Sequence, residues 1–400
     1  MAPSFDCTIT FDNNSHGVFF AGQKLRGTVD FTLSKAKKVK VVVLKITGLA
    51  RVQWTEMYGT GTTIQFSAKE NFLTHTEELV RSDSDDPIEL MPGRQIYKFT
   101  LQLPATLPTS FEGDYGYNRY TARVVLERPW KFDLTHKIAF TVVNQLNLNA
   151  ISSPLNVAAV QEHVKHFNCG PCRSKPLTMN VMLPMTGFVP GQFILVTVNI
   201  DNGTKKRIAD VKMKLRRQVE YRSATPYEQV KSVSCTLAKF QCSGVDAYGS
   251  AGYERRFLVP PEAPTRSDTI IRIEYYVEVI AKVPGMVYSP YVRIPVTIGT
   301  IPLLNLNQSQ YRTSFVTAPL TAATGSDPKS FHISLQSLHI PHTFEKSAIR
   351  LDGTIPNGSI SPSLSSSSFS PRYPVFRFES DKNLAAHGEP AGTHASQEQR

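Results

Sequence analysis

The sequence is poor in cysteine and has no long apolar run. Five cysteines in 400 residues are too few for a disulfide framework, which indicates a reducing compartment. No stretch approaches the roughly 18 apolar residues that suggest a membrane-spanning helix. The first residues, MAPSFDCTITF, lack the basic and apolar regions of a signal peptide. Together these absences predict a cytoplasmic protein.

Catalytic signatures are absent from the sequence as well. It contains no Gly-rich phosphate loop, no Gly-x-Ser-x-Gly elbow and no His-Glu-x-x-His motif, and its histidines are dispersed. The formal net charge is +11, yet no recognised nucleic-acid-binding pattern accompanies it. We predict a protein that is not an enzyme, needs no cofactor or metal, and does not bind nucleic acid.

One short motif points towards redox chemistry. Cys169 and Cys172 enclose Gly-Pro, as in the active site of thioredoxin-type oxidoreductases. Such a site follows a buried strand and begins a helix, whereas this motif follows polar residues and Pro176 would break the helix. The two thiols remain candidates for oxidation, because nearby basic residues favour the thiolate. With His163 and His166 they are also a weaker candidate for zinc binding.

Alternating apolar and polar residues dominate the first three quarters of the chain. In Tyr97–Leu103 (YKFTLQL), Tyr, Phe and Leu would face one side and Lys, Thr and Gln the other. Comparable strand signals occur at 25–33, 40–54, 120–126, 137–143, 193–200, 208–221 and 269–283. A period of two residues indicates strands with one buried face, typical of antiparallel sandwiches. We predict an all-β fold.

The sequence also repeats itself. Gly17–Gln23 (GVFFAGQ) and Gly187–Gln192 (GFVPGQ) each lead into a strand signal. The run Leu103–Pro108 (LPATLP) is echoed by Val259–Pro264 (VPPEAP). In both copies a tyrosine follows the second proline after twelve residues, namely Tyr120 and Tyr276. We interpret the two halves as copies of one β-rich domain.

Several runs, in order, resemble the arrestin fold and, within it, the alpha-arrestins, which are the arrestin-domain-containing proteins. The resemblance spans residues 5–303. It rests on Gly22-Gln23 with Gly27-Thr28-Val29, on 46–54 (ITGLARVQW), on 111–116 (FEGDYG), on Arg119-Tyr120, on 127–133 (ERPWKFD) and on 294–303 (IPVTIGTIPL).

The resemblance implies two tandem arrestin-like (immunoglobulin-like) β-sandwich domains followed by a disordered tail. We place the N-terminal sandwich at 1–148 and an interdomain linker at 149–172, where 150–165 has a weakly helical or linker-like pattern. The C-terminal sandwich follows at 173–303. The Ser/Thr/Pro-rich tail occupies 304–400, where runs such as SPSLSSSSFS at 361–370 bury too little apolar surface to fold.

The function that the resemblance implies is adaptor work. Alpha-arrestins bind plasma-membrane receptors and transporters and direct their endocytosis, endosomal sorting or ubiquitination. Many recruit a ubiquitin ligase through Pro-Pro-x-Tyr motifs, whose polyproline conformation fits WW domains. This sequence contains no such motif, so any ubiquitin ligase would be recruited indirectly. Alternatives are a thioredoxin-linked or redox-sensitive regulatory scaffold that uses Cys169 and Cys172, and a retromer-like sorting subunit.

Basic residues are the candidate binding determinants. The repeat places two Lys-rich turns at equivalent loops of the two sandwiches. Basic side chains suit phosphorylated cargo tails or an acidic membrane surface, and a merely solvated loop is the alternative. The candidate phosphate, acidic-lipid or cargo contacts are Lys35, Lys37, Lys38, Lys205, Lys206 and Arg207.

Overall fold

The fold is built almost entirely of β-strands. The computed structural model describes residues 4–59, 61–82, 86–167, 175–267, 269–304, 343–347 and 369–376. Within these residues the regular elements are strands and one 3-10 turn, Leu148–Ala150. The predicted all-β class with two tandem sandwiches is confirmed.

The first sandwich packs two sheets face to face, and their strands pair antiparallel except for β2, which pairs parallel with β11. One sheet has the strand order β1-β3-β8; the other has the order β2-β11-β10-β5-β6, with β9 on β10, and the short strands β4 and β7 pair beside them. The strands are β1 Phe5–Phe11, β2 Val18–Phe20, β3 Lys24–Leu33, β4 Lys37–Val39, β5 Val41–Tyr58, β6 Thr62–Arg81, β7 Ile88–Leu90, β8 Gly93–Gln102, β9 Phe111–Gly113, β10 Gly116–Glu127 and β11 Leu134–Val143. Strict alternation in β3 buries Leu25, Val29 and Phe31 between the sheets, as its sequence pattern predicts.

The second sandwich has the same design. Its sheets have the orders β12-β13-β15-β18 and β14-β20-β19-β16-β17. The strands are β12 Ala159–Lys165, β13 Leu177–Leu183, β14 Gly187–Phe188, β15 Phe193–Asn202, β16 Ile208–Arg222, β17 Val230–Val245, β18 Ser250–Leu258, β19 Ile271–Lys282 and β20 Tyr291–Ile298.

The internal duplication extends to individual hydrogen bonds. Gln23 Oε1 accepts from the Phe20 N–H at 2.9 Å, and Gln192 Oε1 accepts from the Val189 N–H at 3.2 Å. The glycine before each glutamine has a left-handed backbone, with φ of 81° at Gly22 and 89° at Gly191, which only glycine adopts without strain. The repeated Gly-Gln pair therefore builds the same turn twice.

The tyrosine of the second copy is not the one predicted from spacing. Tyr120 Oη donates to the Pro108 carbonyl at 2.6 Å, and its structural equivalent is Tyr275, whose Oη donates to the Ala263 carbonyl at 2.6 Å. The match is displaced by one residue because strand alternation points Tyr275 into the core. Tyr276 instead faces Ser234 across the sheet.

Part of the predicted linker 149–172 belongs to the second sandwich. Strand β12 pairs with β13 along its whole length, whereas the sequence predicts a weakly helical or linker-like segment over 150–165. The strand lies at a sheet edge and leaves Val160 and Val164 exposed by 66% and 45%. An edge strand with little buried surface gives a weak alternation signal, which explains the difference.

Two segments of the predicted disordered tail are ordered strands. Strand β21, Thr343–Lys346, pairs antiparallel with β22, Arg372–Val375. We call residues 343–347 and 369–376 the tail hairpin. The other tail positions lie outside the described residues. The hairpin differs from its Ser-rich surroundings because RYPVF, residues 372–376, is apolar enough to be buried.

Candidate functional site: the junction between the sandwiches

The two sandwiches share one apolar core at their junction. Trp54 and Phe66, near the tip of the β5–β6 hairpin, are buried in the same cluster as the core of the second sandwich. Their rings stack with centroids 5.4 Å apart, and Phe66 meets Tyr227 of the second sandwich edge-on at 5.1 Å. The Ser67 N–H donates to the Thr225 carbonyl at 2.9 Å. Because these contacts exclude water, the sandwiches pack as one unit.

Strand β9 supplies a second contact across the junction. Its last residue, Gly113, lies against the buried Tyr221 of β16. A Cβ atom at position 113 would stand 2.2 Å from Tyr221 Oη, so no larger residue fits without displacement. The Tyr115 ring packs edge-on against Tyr221 at 5.8 Å. Burial raises the pKa of Tyr221 well above its usual range, so the phenol stays neutral.

A buried ion pair lies beside this contact. Arg217 Nη1 donates to Glu262 Oε2 at 2.6 Å, and the side chains are only 7% and 0% exposed. The guanidinium lies over the Phe111 ring of the first sandwich at 5.3 Å. Burial raises the pKa of Glu262, while Arg217 and the Ser347 hydroxyl act in the opposite direction. The pair fixes a charged group where both sandwiches and the tail hairpin converge.

Charged pairs nearer the surface support the same junction. Lys231 Nζ of the second sandwich lies 3.2 Å from Glu56 Oε1 of the first. Within the first sandwich, Arg119 Nη2 lies 2.7 Å from Glu112 Oε2 on β9. These partly buried pairs are screened less by salt than exposed ones. They orient β5 and β9, two strands of the first sandwich that contact the second.

The tail hairpin covers the junction from one side. Tyr373 is 1% exposed, and its Oη donates to the Ser110 carbonyl of the first sandwich at 2.9 Å. The Phe376 N–H donates to the Pro190 carbonyl of the second sandwich at 2.9 Å. The hairpin therefore binds both sandwiches at once.

The predicted basic contacts do not come together. Lys35, Lys37 and Lys38 precede β5, and the second set, 205–207, precedes β16. Each strand runs from its basic turn towards the junction. The 18 residues of β5 span roughly 60 Å at 3.3 Å per residue, so the two turns lie at opposite ends of the molecule.

The second basic turn, residues 205–207, makes side-chain contacts that hold it in place. Lys206 Nζ lies over the Phe167 ring at 5.4 Å. Arg207 Nε lies 3.6 Å from Asp246 Oδ1, with both side chains largely exposed. Such an exposed ion pair stabilises little, so both basic groups stay accessible to an anionic partner.

Neither a membrane helix nor a metal cluster occurs in the part of the chain that the structure describes. No helix there is long and apolar enough to cross a membrane. No group of three or more His, Cys, Asp and Glu side chains could hold a metal ion among those residues.

Comparison with known proteins decides the family. The profile described as "Arrestin (or S-antigen), N-terminal domain" matches residues 7–149, and the profile of the corresponding C-terminal domain matches residues 173–303. The chain belongs to the arrestin family. Its relatives carry the names of arrestin-domain-containing proteins, so the resemblance to alpha-arrestins is confirmed.

These arrestin relatives have low sequence identity to this chain, but the similarity covers most of its length. Arrestin domain-containing protein 17 of Caenorhabditis elegans is 28% identical over 80% of this chain and 75% of its own length. Human arrestin domain-containing protein 1 is 26% identical over 72% of this chain and 63% of its own length. Mouse arrestin domain-containing protein 4 is 25% identical over 74% of this chain and 71% of its own length. Arrestin-family proteins are adaptors, which agrees with the predicted class of function.

The cysteines that the structure describes give no support to a redox function. Cys169 and Cys172 lie outside the described residues. Among those described, Cys7 is buried, and burial raises its thiol pKa to about 12. Burial also raises the pKa of Cys235 on β17, although Arg217 opposes the shift. Because the thiolate is the reactive form, neither thiol suits redox catalysis.

Sequence reasoning missed the junction itself. Arg217 and Glu262 are 45 residues apart, and only the pairing of the sheets brings them together. One signal was available, because Glu262 is the charged residue inside the repeated proline run VPPEAP. A carboxylate in an otherwise apolar turn indicates a buried partner.

Proposed function

We propose that this arrestin is a non-enzymatic cytoplasmic adaptor that binds membrane-protein cargo and directs its endocytosis, endosomal sorting or ubiquitination. The observation that carries the proposal is the arrangement of the two sandwiches. They are joined by a shared core, and each presents an exposed basic turn at its far end. An elongated body with two separated binding ends suits a protein that connects cargo to sorting machinery.

The basic turns supply the proposed contacts with cargo or membrane. Lysine and arginine donate charge-assisted hydrogen bonds to phosphate groups and carboxylates. Clusters of them also attract acidic membrane surfaces, with about 1 kcal/mol per residue near the surface. Plasma-membrane receptors or transporters with phosphorylated or acidic cytoplasmic tails are therefore the proposed partners, and the protein would be recruited to the plasma membrane and endosomes.

Recruitment of a ubiquitin ligase would be indirect. The sequence has no Pro-Pro-x-Tyr motif. Its Pro260-Pro261 pair is followed by Glu262, which is buried in the ion pair with Arg217. This proline run is therefore committed to the fold and is not free to bind a WW domain.

Proximity labelling in cells tests the proposal. The wild-type chain is compared with variants in which one basic turn is reversed in charge, Lys35, Lys37 and Lys38 to Glu or 205–207 to Glu. A matched control reverses three exposed basic residues elsewhere, Lys239, Arg255 and Arg256. We expect plasma-membrane, endosomal and ubiquitin-pathway neighbours that are lost in at least one turn variant and kept in the control. Absence of such neighbours for the wild type would sink the proposal.

A further inference from the structure

A small basic cavity lies where the tail hairpin meets the first sandwich. Its volume is about 200 Å³, and its lining includes Ser370, His16, Lys346 and Arg372. No Asp or Glu side chain is among the described residues that line it. The cavity therefore combines a hydroxyl group with basic side chains and no competing carboxylate.

The two basic residues of the hairpin stand directly opposite each other. Lys346 and Arg372 are cross-strand partners in the register of β21 and β22. The Cβ atoms of such cross-strand partners lie about 5 Å apart, and like charges on them destabilise the pair. The hairpin has only four paired positions, so this repulsion affects a large part of it. An anion between the two side chains would turn the repulsion into attraction.

His16 is held in place by a tight turn on the first sandwich. Asn14 Oδ1 accepts from the Val18 N–H at 3.1 Å, and the Gly17 N–H donates to the Asn14 carbonyl at 3.1 Å. Gly17 has φ of 61°, a conformation that glycine adopts freely. The turn thus presents His16 to the cavity without help from the tail.

Ser370 is the residue that can place an anion there. It is followed by Pro371, the arrangement that proline-directed Ser/Thr protein kinases require. The Arg372 N–H donates to Thr141 Oγ1 at 3.2 Å, which fixes the backbone beside Ser370 against the first sandwich.

We propose that Ser370 is a phosphorylation site and that its phosphate binds Lys346, Arg372 and His16, fastening the tail hairpin to the first sandwich. A proline-directed kinase would supply the group from ATP. The Ser370 oxygen forms a bond to the γ-phosphorus while the bond to the β,γ-bridging oxygen breaks, which gives ADP and releases the hydroxyl proton. The resulting phosphate carries a charge of about −1.5 to −2 at neutral pH and accepts charge-assisted hydrogen bonds.

The modification takes place on the detached tail. Pro371 is buried in the docked hairpin. A kinase therefore cannot bind the Ser370-Pro371 pair while the hairpin is docked. Once added, the phosphate interacts with the basic cavity only in the docked state. It therefore shifts the equilibrium towards docking by its differential affinity.

Hydrogen exchange on the full chain tests the proposal. Phosphoserine is incorporated at position 370 during translation, and exchange is followed at the amides of Arg372, Tyr373, Val375 and Phe376. We expect exchange about tenfold slower than in the unmodified chain, the effect of one charge-assisted hydrogen bond. Phosphoserine at Ser361, which also precedes a proline, is the matched control and should change these rates little.

Two variants separate the proposed contact from a general effect of charge. Lys346→Gln and His16→Gln remove basic groups of the cavity without touching Ser370. In the unmodified chain, Lys346→Gln should slow exchange slightly, because the repulsion with Arg372 is lost. Combined with phosphoserine at 370, the two substitutions should abolish most of the slowing. Exchange that is unchanged or faster in the phosphorylated chain, or slowing that persists in the double variant, would overturn the proposal.

Discussion

The contact between Gly113 and Tyr221 offers a sharp test of the shared core. Gly113→Ala would place a methyl carbon 2.2 Å from Tyr221 Oη and 2.7 Å from Phe111 Cε1, and both rings are 1% exposed. Adding volume to a packed core costs about 1–3 kcal/mol. Glycine to alanine otherwise stabilises by about 0.4–1 kcal/mol through the unfolded chain. The clash outweighs this gain, so we expect a net loss of about 1–2 kcal/mol in the free energy of unfolding.

Chemical denaturation of the full chain measures this loss, and hydrogen exchange around β9 and Tyr221 locates it. Gly249→Ala is the control, because its nearest atom lies at 3.3 Å and its φ is not left-handed. Tyr221→Phe removes the clashing oxygen, so the double variant should be more stable than the sum of the single effects by about 1 kcal/mol. Equal stability of the Gly113 and Gly249 variants, or strict additivity in the double variant, would refute the reasoning.

Three further predictions concern charge and burial. Arg217→Met should cost about 3–5 kcal/mol in denaturation because it leaves a buried carboxylate unpaired, whereas Arg222→Met, in an exposed pair, should cost at most about 1 kcal/mol. Burial opposes ionisation of Glu278, but hydrogen bonds from its arginine partners outweigh it and lower its pKa below the ordinary 4.5. The stability it contributes is present at neutral pH and lost as the pH falls below about 4.5; Glu278→Gln should flatten that acid loss in denaturation profiles. Tyr373→Ala should detach the tail hairpin and expose it to proteolysis, while the exposed Tyr248 should tolerate alanine without this effect.

The sandwiches could be predicted from sequence because their signals are local. Alternation within a strand such as β3 reports directly on which side chains face the core. The Gly-Gln turn recurs because the same backbone geometry is needed twice, and glycine with a left-handed φ is hard to replace. These signals need no knowledge of distant contacts.

The junction and the tail hairpin could not be predicted in the same way. The partnership of Arg217 with Glu262 depends on the packing of the loop between β18 and β19 against β16, which no local pattern encodes. The hairpin could not be recognised from the composition of the tail as a whole. Its five mostly apolar residues, 372–376, are outnumbered by the polar residues of the Ser-rich tail around them. Their burial depends on a surface that both sandwiches create together.

The tail hairpin brings the polypeptide chain back to the junction between the two sandwiches. The chain leaves the first sandwich, builds the second, and then returns to touch Ser110 on one side and Pro190 on the other. Tension applied to the tail beyond Phe376 would reach these contacts before it reached either sandwich. A partner that pulls on the far tail would therefore load the contacts of the tail hairpin at the junction first. The hairpin would detach from the junction before either sandwich unfolded.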